Sequence, residues 1–225
     1  MTTGTASGVE SRGDHAGDAA ILAVLVVAYL GLVFQFTGTT TAVYFDTFRD
    51  VATAENILAG RLWADPALRD YPPWYPPGNP LLMAAVAHLT GARPLEVYAA
   101  SRYWLNVLIP MLLYVLVRTA WDRATALLAL PAVVLGSAWW LTHVAAPMPS
   151  VHGVILNLLG LLCWHQCHRP GWRWPVLTGL VLSVGVWHHP LCALILAGAI
   201  GLHALDRLAA RDPAGRAWVG RMLVV

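Results

Sequence analysis

Apolar and polar residues alternate along this chain in long blocks. Apolar blocks cover residues 19–36, 80–91, 97–117, 124–146, 151–167, 174–187 and 191–208. A helix that crosses a bilayer needs about 20 residues, within a range of about 17 to 25. The block at 80–91 is too short to cross alone, so we expect an interfacial or re-entrant helix there. The other six blocks predict an all-α, polytopic transmembrane bundle of about six spans.

One long polar segment, residues 44–80, separates the first two apolar blocks and contains five of the twelve acidic residues. We expect it to be a large first extracytoplasmic loop. Residues 44–62 have the periodicity of an amphipathic helix, with Asp46, Asp50 and Thr53 on its polar face. Such a helix is expected to lie on the membrane with its acidic face exposed. Residues 71–80, the proline strap, should not be helical, because each proline removes a backbone donor.

Composition supports a membrane protein. The chain is 58% hydrophobic and 12% charged, whereas soluble domains carry about 25% charged residues. We therefore predict a single membrane domain at 19–225, preceded by a disordered cytoplasmic tail at 1–18. The net charge of +2 gives no reason to expect nucleic acid as a partner, and three cysteines in apolar segments do not predict a disulfide framework.

Arginine positions predict the orientation. With 80–91 not crossing, the arginines of three alternate connections fall on one side, as the positive-inside rule requires with a cytoplasmic N-terminus. These arginines are Arg118, Arg123, Arg169, Arg173, Arg207, Arg211 and Arg216. We expect an integral protein of a bacterial plasma membrane. The apolar residues at 222–225 suggest that a longer natural chain continues there.

The polar segment carries the candidate chemistry. Asp46 and Asp50 are spaced i, i+4, so their carboxylates are neighbours unless a cation, a proton or Arg49 separates the charges. This condition is typical of a general base or a metal ligand, although acids at a helix start also favour the helix dipole. The strap aromatics, including Tyr75, suit either the lipid headgroup belt or the stacking of a sugar ring, and the belt is the commoner case.

Polar residues of the apolar blocks supply further candidates. Arg102 should lie just below the outer interface, where it would bind a lipid phosphate or else snorkel or pair with Glu96. Four histidines are expected at the outer helix ends beside the loop, lining a polar cavity. They are His143, His152, His188 and His189. We predict no metal site among them, because the His188-His189-Pro190 sequence is typical of a tight turn.

The order of four motifs resembles the GT-C glycosyltransferases, in particular the N-terminal membrane half of mannosyl- and arabinosyl-transferase-like members, over about residues 19–208. The motifs are Asp46, Tyr75-Pro76-Pro77, the short apolar helix ending at Gly91, and Ala99-Ala100-Ser101-Arg102. The resemblance implies sugar transfer from a polyprenyl-phosphate donor to a glycan, lipid or protein acceptor at the outer face.

By the same resemblance, Asp46 would be the catalytic carboxylate, acting as a general base or through a divalent cation, with Asp50 as a helper. Asp70 would be the second loop acid. Because a leaving phosphate needs cations nearby, Arg49 is a candidate for binding the lipid phosphate. The chain departs from the family in having Phe45-Asp46-Thr47 where Asp-Glu or Gly-Asp is common.

Two other functions stay open. A transporter or lipid-binding module would use Asp46, Arg102 and the histidines along a translocation path, although the sequence has no inverted repeat. A non-catalytic subunit would instead scaffold a partner enzyme. The sugar, the acceptor and any metal requirement are not specified by the sequence.

Overall fold

The computed structural model describes residues 12–37, 45–67, 71–136, 149–209 and 219–220. These residues form α-helices with short connections and contain no β-strand, which confirms the all-α prediction for this part of the chain. The helices are α1 (Arg12–Thr37), α2 (Phe45–Leu58), α3 (Gly78–Thr90), α4 (Pro94–Trp104), α5 (Leu108–Ala120), α6 (Arg123–Gly136), α7 (Pro149–His165), α8 (Arg173–His188) and α9 (Pro190–Ala209), with a 3₁₀ turn at Gln166–His168.

Three stretches are long and apolar enough to cross a membrane. They are Ala16–Val33 within α1, Pro94–Ala120 across α4 and α5, and Pro190–Ala209, which is α9. The chain is therefore compatible with an integral membrane protein. Helix α3 has 13 residues and is about 20 Å long at 1.5 Å per residue, less than the hydrocarbon thickness of about 30 Å.

The apolar stretch from α4 to α5 is interrupted by a turn. Pro110 lies two residues into α5 and cannot donate a hydrogen bond to the carbonyl of Asn106, four residues earlier. Backbone hydrogen bonds to the residue three positions earlier replace the α-helical i to i−4 bonds here. They run from Leu108 N to Leu105 O at 3.0 Å and from Ile109 N to Asn106 O at 3.2 Å. The predicted span at 97–117 therefore lies within a stretch, Pro94–Ala120, that is long and apolar enough to cross a membrane, with a 3₁₀-type distortion between α4 and α5.

Helix α1 begins at Arg12, so the prediction of a disordered tail over residues 1–18 is wrong for its last turns. Asp18 ties this end to the bundle. It accepts a hydrogen bond from the Tyr114 hydroxyl at 2.7 Å and lies 3.4 Å from the guanidinium nitrogens of both Arg118 and Arg123. Three partners on α5 and α6 thus replace the solvent contacts that a disordered tail would have.

Two packed groups of helices hold the candidate residues. In the first, α2 packs on α3 and α4 around buried apolar side chains such as Met83 and Val97. In the second, α7 packs on α8 and α9, and α5 joins it to α6. Burying a side chain such as Met83 contributes about 1.5–3 kcal/mol. The first group meets the second where the start of α3 approaches the end of α8.

Gly78 makes that approach close. A Cβ atom at this position would lie 2.5 Å from the carbonyl oxygen of Trp187 and 2.8 Å from the Cδ2 atom of His188. Any larger residue would therefore push α3 away from α8. Helix α3 starts here, inside the proline strap, and Pro80 lies in its first turn, where a missing N–H costs nothing. The expectation that the strap is non-helical to residue 80 is corrected accordingly.

Candidate functional site

Helix α2 turns its polar face inward. Asp50 is 1% exposed and Thr53 is 4% exposed, whereas Phe48 is 66% exposed. The prediction that α2 presents its acidic face to solvent is therefore wrong for Asp50 and Thr53, whereas the Asp46 side chain on the same face is 44% exposed. The reason is that neighbouring helices supply hydrogen-bond partners for this face. Thr47 is hydrogen-bonded to the Tyr98 hydroxyl of α4, and Asp50 accepts a hydrogen bond from Asn79 of α3.

Arg49 lies between the two aspartates and contacts both. Its Nη1 atom is 2.9 Å from Asp46 Oδ1, and its Nη2 atom is 2.7 Å from Asp50 Oδ1. The Nε atom also donates to Asp50 Oδ1 at 2.9 Å. Of the three ways to separate the two negative charges, the structure therefore supplies the arginine. We call Asp46, Arg49 and Asp50 the acid–arginine triad.

Asp50 is the buried member of the triad. Asn79 Nδ2 donates to its second oxygen, Oδ2, at 2.6 Å, so both carboxylate oxygens are hydrogen-bonded. Burial raises the pKa of Asp50, while Arg49 and Asn79 act in the opposite direction. A buried carboxylate with both oxygens hydrogen-bonded cannot contact a substrate. The role that its contacts indicate for Asp50 is to hold Arg49 in place.

Asp46 is the accessible member. Its side chain is 44% exposed, and within the described parts of the chain its only side-chain hydrogen bond comes from Arg49 to Oδ1. The Oδ2 atom is thus left for another ligand. A half-exposed carboxylate that is fixed by one guanidinium bond can accept a proton from a bound hydroxyl group.

Aromatic side chains of the proline strap cover Arg49. The Arg49 Cζ atom lies 4.1 Å from the Tyr75 ring centroid and 5.8 Å from that of Trp74, which are cation–π distances. Tyr75 also meets His189 edge to face, with centroids 6.4 Å apart. Because Arg49 occupies one face of Tyr75, this residue positions the guanidinium, whereas Trp74 is 70% exposed.

Three of the four predicted histidines gather beside the strap. His152 of α7 and His188 of α8 have ring centroids 5.2 Å apart, and His189 follows directly. His152 is 5% exposed, and neither of its ring nitrogens has a hydrogen-bond partner among the described residues; the same is true of His188 Nδ1. Burial lowers the pKa of His189. His143 lies outside the described residues.

Arg102 is buried among aromatic residues, at 4% exposure. Its Cζ atom lies 4.9 Å from the Tyr103 ring centroid, and its backbone carbonyl accepts a hydrogen bond from Tyr29 of α1. The alternative in which it pairs with Glu96 is wrong, because Glu96 binds Arg93 at 2.7 Å. In this conformation Arg102 is not open to a lipid phosphate.

Two residues that sequence inspection overlooked complete the site. Asn79 is fully buried and bonds Asp50; a polar residue at the start of an apolar helix was the available signal. Asp65, 6% exposed, lines a small cleft with Arg49 and Asp50. Asp70, which was predicted as the second loop acid, lies outside the described residues.

The cleft beside the triad is too small for a substrate. The volume of the cleft that the centre of a water molecule can occupy is about 10 Å³, which is roughly enough for one water molecule. Among the described residues, no group of three His, Cys, Asp or Glu side chains could hold a metal ion.

No family model, curated protein or solved structure matches this chain. The candidate function accordingly rests on the residues of the site and on the sequence motifs.

Proposed function

We propose that this chain is an integral membrane glycosyltransferase that moves a sugar from a polyprenyl-phosphate donor to an acceptor at the extracytoplasmic face. One observation supports it most: Asp46 is half exposed and is held by Arg49, which a fully buried partner, Asp50, keeps in place. Proton acceptors in enzymes need such fixed geometry together with access to substrate.

The proposed reaction assigns a step to these residues. The acceptor hydroxyl oxygen attacks the anomeric carbon of the donor, and its proton passes to Asp46. The bond between the anomeric carbon and the phosphate oxygen breaks, and the polyprenyl phosphate leaves with the electron pair. Positive charge builds on the sugar ring, and negative charge on the leaving phosphate, so a carboxylate and a nearby cation both lower the barrier.

Arg49 is the cation that contacts Asp46. Besides binding the two aspartates, it would attract the leaving phosphate. Its Nη1, Nη2 and Nε atoms already contact the two aspartates, so the phosphate would meet the outer edge of the guanidinium. His152 and His188 supply further polar atoms, because three of their ring nitrogens lack partners among the described residues. Unpaired buried nitrogens are costly unless a ligand satisfies them.

The proposed membrane arrangement has about six spans, a cytoplasmic N-terminus and residues 44–80 at the outer face. The alternation of arginine-rich connections supports this orientation. The 13-residue length of α3 and the outward-facing Phe48 of α2 suit two helices that lie at the interface rather than cross. A bacterial plasma membrane is the proposed location.

A transfer assay tests the proposal. Purified protein in nanodiscs receives radiolabelled polyprenyl-phosphate mannose or arabinose, with octyl mannoside and octyl arabinoside as acceptor probes. We expect labelled octyl glycosides from the wild type and from Glu55→Gln, a control acid that is exposed on the same helix. Asp46→Asn should lower the rate by about 10²–10⁴-fold, the usual contribution of a general base.

Two results would overturn the proposal. If Asp46→Asn keeps the full rate, Asp46 is not the base. If the wild type transfers neither sugar, the catalytic function is wrong and the chain is better explained as a non-catalytic subunit or a lipid-binding module.

A further inference from the structure

Next to the triad lies an open groove whose walls are aromatic and proline side chains. Trp63, Trp74, Tyr75 and Trp187 form its aromatic lining, and the strap prolines form the rest with Val186. Its volume is about 350 Å³, at the lower end of the 300–1,000 Å³ usual for small-molecule sites. We call it the aromatic groove.

The tryptophan faces are available to a ligand. Trp63 and Trp187 have ring centroids 6.2 Å apart and planes inclined at 50°, so the two rings are not stacked flat and each keeps part of a face open. Trp63 is 56% exposed and Trp187 is 50% exposed. Tyr75, by contrast, has one face covered by Arg49.

The groove adjoins the small cleft beside Arg49 and Asp50. Trp74 and Tyr75 line the groove and also the small cleft that contains Arg49 and Asp50. Since that cleft has room for about one water, a substrate ring must lie outside it, and the groove is the neighbouring concave surface. Prolines on its wall restrict the backbone, so the groove is formed before any ligand binds.

We propose that the aromatic groove binds a sugar ring of a glycan acceptor. The assignment of this ring to an acceptor rests on the proposed function, whereas glycan binding itself does not. A pyranose ring has an apolar C–H face, which stacks on tryptophan, and a rim of hydroxyl groups, which suits the polar triad beside the groove. A ring on Trp63 and Trp187 would lie next to the cleft that Arg49 and Asp50 line, because Trp74 and Tyr75 line both.

Lipid is the competing occupant, because exposed tryptophans also sit in headgroup belts. Here Trp63 follows α2 and Trp187 ends α8, yet both converge on the same concave surface with the rigid strap between them. Convergence of this kind favours a ring-sized ligand over an acyl chain.

Ligand-detected saturation-transfer NMR tests the proposal without any sugar donor. The full chain in nanodiscs is mixed with soluble trisaccharides of glucose, mannose or arabinose at up to about 10 mM, a range that detects weak affinities. We expect transfer to ring C–H protons of at least one trisaccharide. Trp63→Leu and Trp187→Leu should each weaken binding about two- to tenfold, as the loss of one aromatic contact predicts.

Trp121→Leu is the matched control, since Trp121 is 70% exposed but lies after α5, away from the groove; it should bind like the wild type. Fluorescence quenching by brominated phospholipids, compared between wild type and Trp63→Leu, tests the lipid alternative. Absence of saturation transfer from all three trisaccharides overturns the proposal, as does equal weakening by Trp121→Leu. A failed transfer assay with intact trisaccharide binding would instead overturn only the catalytic function.

Discussion

Removing Arg49 should expose the energetic role of the triad. In Arg49→Met the Asp50 carboxylate, with no exposed side-chain surface, keeps Asn79 but loses its only described counter-charge. Breaking a buried ion pair by removing one partner costs about 3–5 kcal/mol. The carboxylate can avoid part of that cost by taking up a proton.

Protonation of Asp50 limits how much unfolding free energy Arg49→Met can lose, and this limit depends on pH. At 1.36 kcal/mol per pH unit and an ordinary aspartate pKa of about 3.9, binding a proton costs about 4 kcal/mol at pH 7 and about 1.5 kcal/mol at pH 5. We therefore expect Arg49→Met to lose about 3 kcal/mol of unfolding free energy at pH 7, and at most about 1.5 kcal/mol at pH 5.

Unfolding by titration of SDS into mixed micelles, followed by circular dichroism, measures these losses. Arg93→Met is the matched control, because Arg93 and Glu96 form an ion pair whose side chains are 77% and 51% exposed and solvent screens such a pair. The double variant Arg49→Met/Asp50→Asn should recover much of the stability, since no buried charge remains. Equal losses in Arg49→Met and Arg93→Met, or a loss that does not shrink at pH 5, would refute the buried-pair account.

Other variants test neighbouring parts of the site. Gly78→Ala should lose about 1–3 kcal/mol in the same titration, as overpacking predicts, whereas Gly198→Ala, with nothing within 4 Å, should be neutral or stabilising. His152→Phe should keep its unfolding free energy to within about 1 kcal/mol, because its nitrogens have no described partners, but should transfer sugar more slowly; a large destabilisation would contradict this. Burial raises the pKa of Asp50, so the stability of the wild type relative to Asp50→Asn should be greatest below about pH 3.9 and decline as the pH rises through the raised value.

The sequence was sufficient to predict where most helices lie, but not which side of α2 is buried. Apolar blocks predicted α1, α3 and α7 to α9, because helix formation there follows from local composition. The inward turn of α2 could not be predicted, since its periodicity is the same whichever side is buried. What decides it is the presence of Asn79 and Tyr98 on neighbouring helices, which are long-range contacts.

Some features of the candidate site could be predicted from the sequence, and others depend on how the helices pack. Spacing alone put Asp46, Arg49 and Asp50 on adjacent turns, so their proximity was predictable. The different exposure of the two acids was not, because it depends on how α3 packs. Trp63 and Trp187 were not singled out for a further reason: each by itself is an ordinary interfacial tryptophan, and only the fold brings them to one groove.

The rate of sugar transfer by Asp46→Asn, compared with that of the wild type, is the most direct test of the account. In single-turnover reactions with labelled polyprenyl-phosphate mannose or arabinose, the wild type should transfer the sugar to the octyl glycoside acceptors. Asp46→Asn should be about 10²–10⁴-fold slower, the usual contribution of a general base. Transfer by Asp46→Asn at the wild-type rate would contradict the central claim.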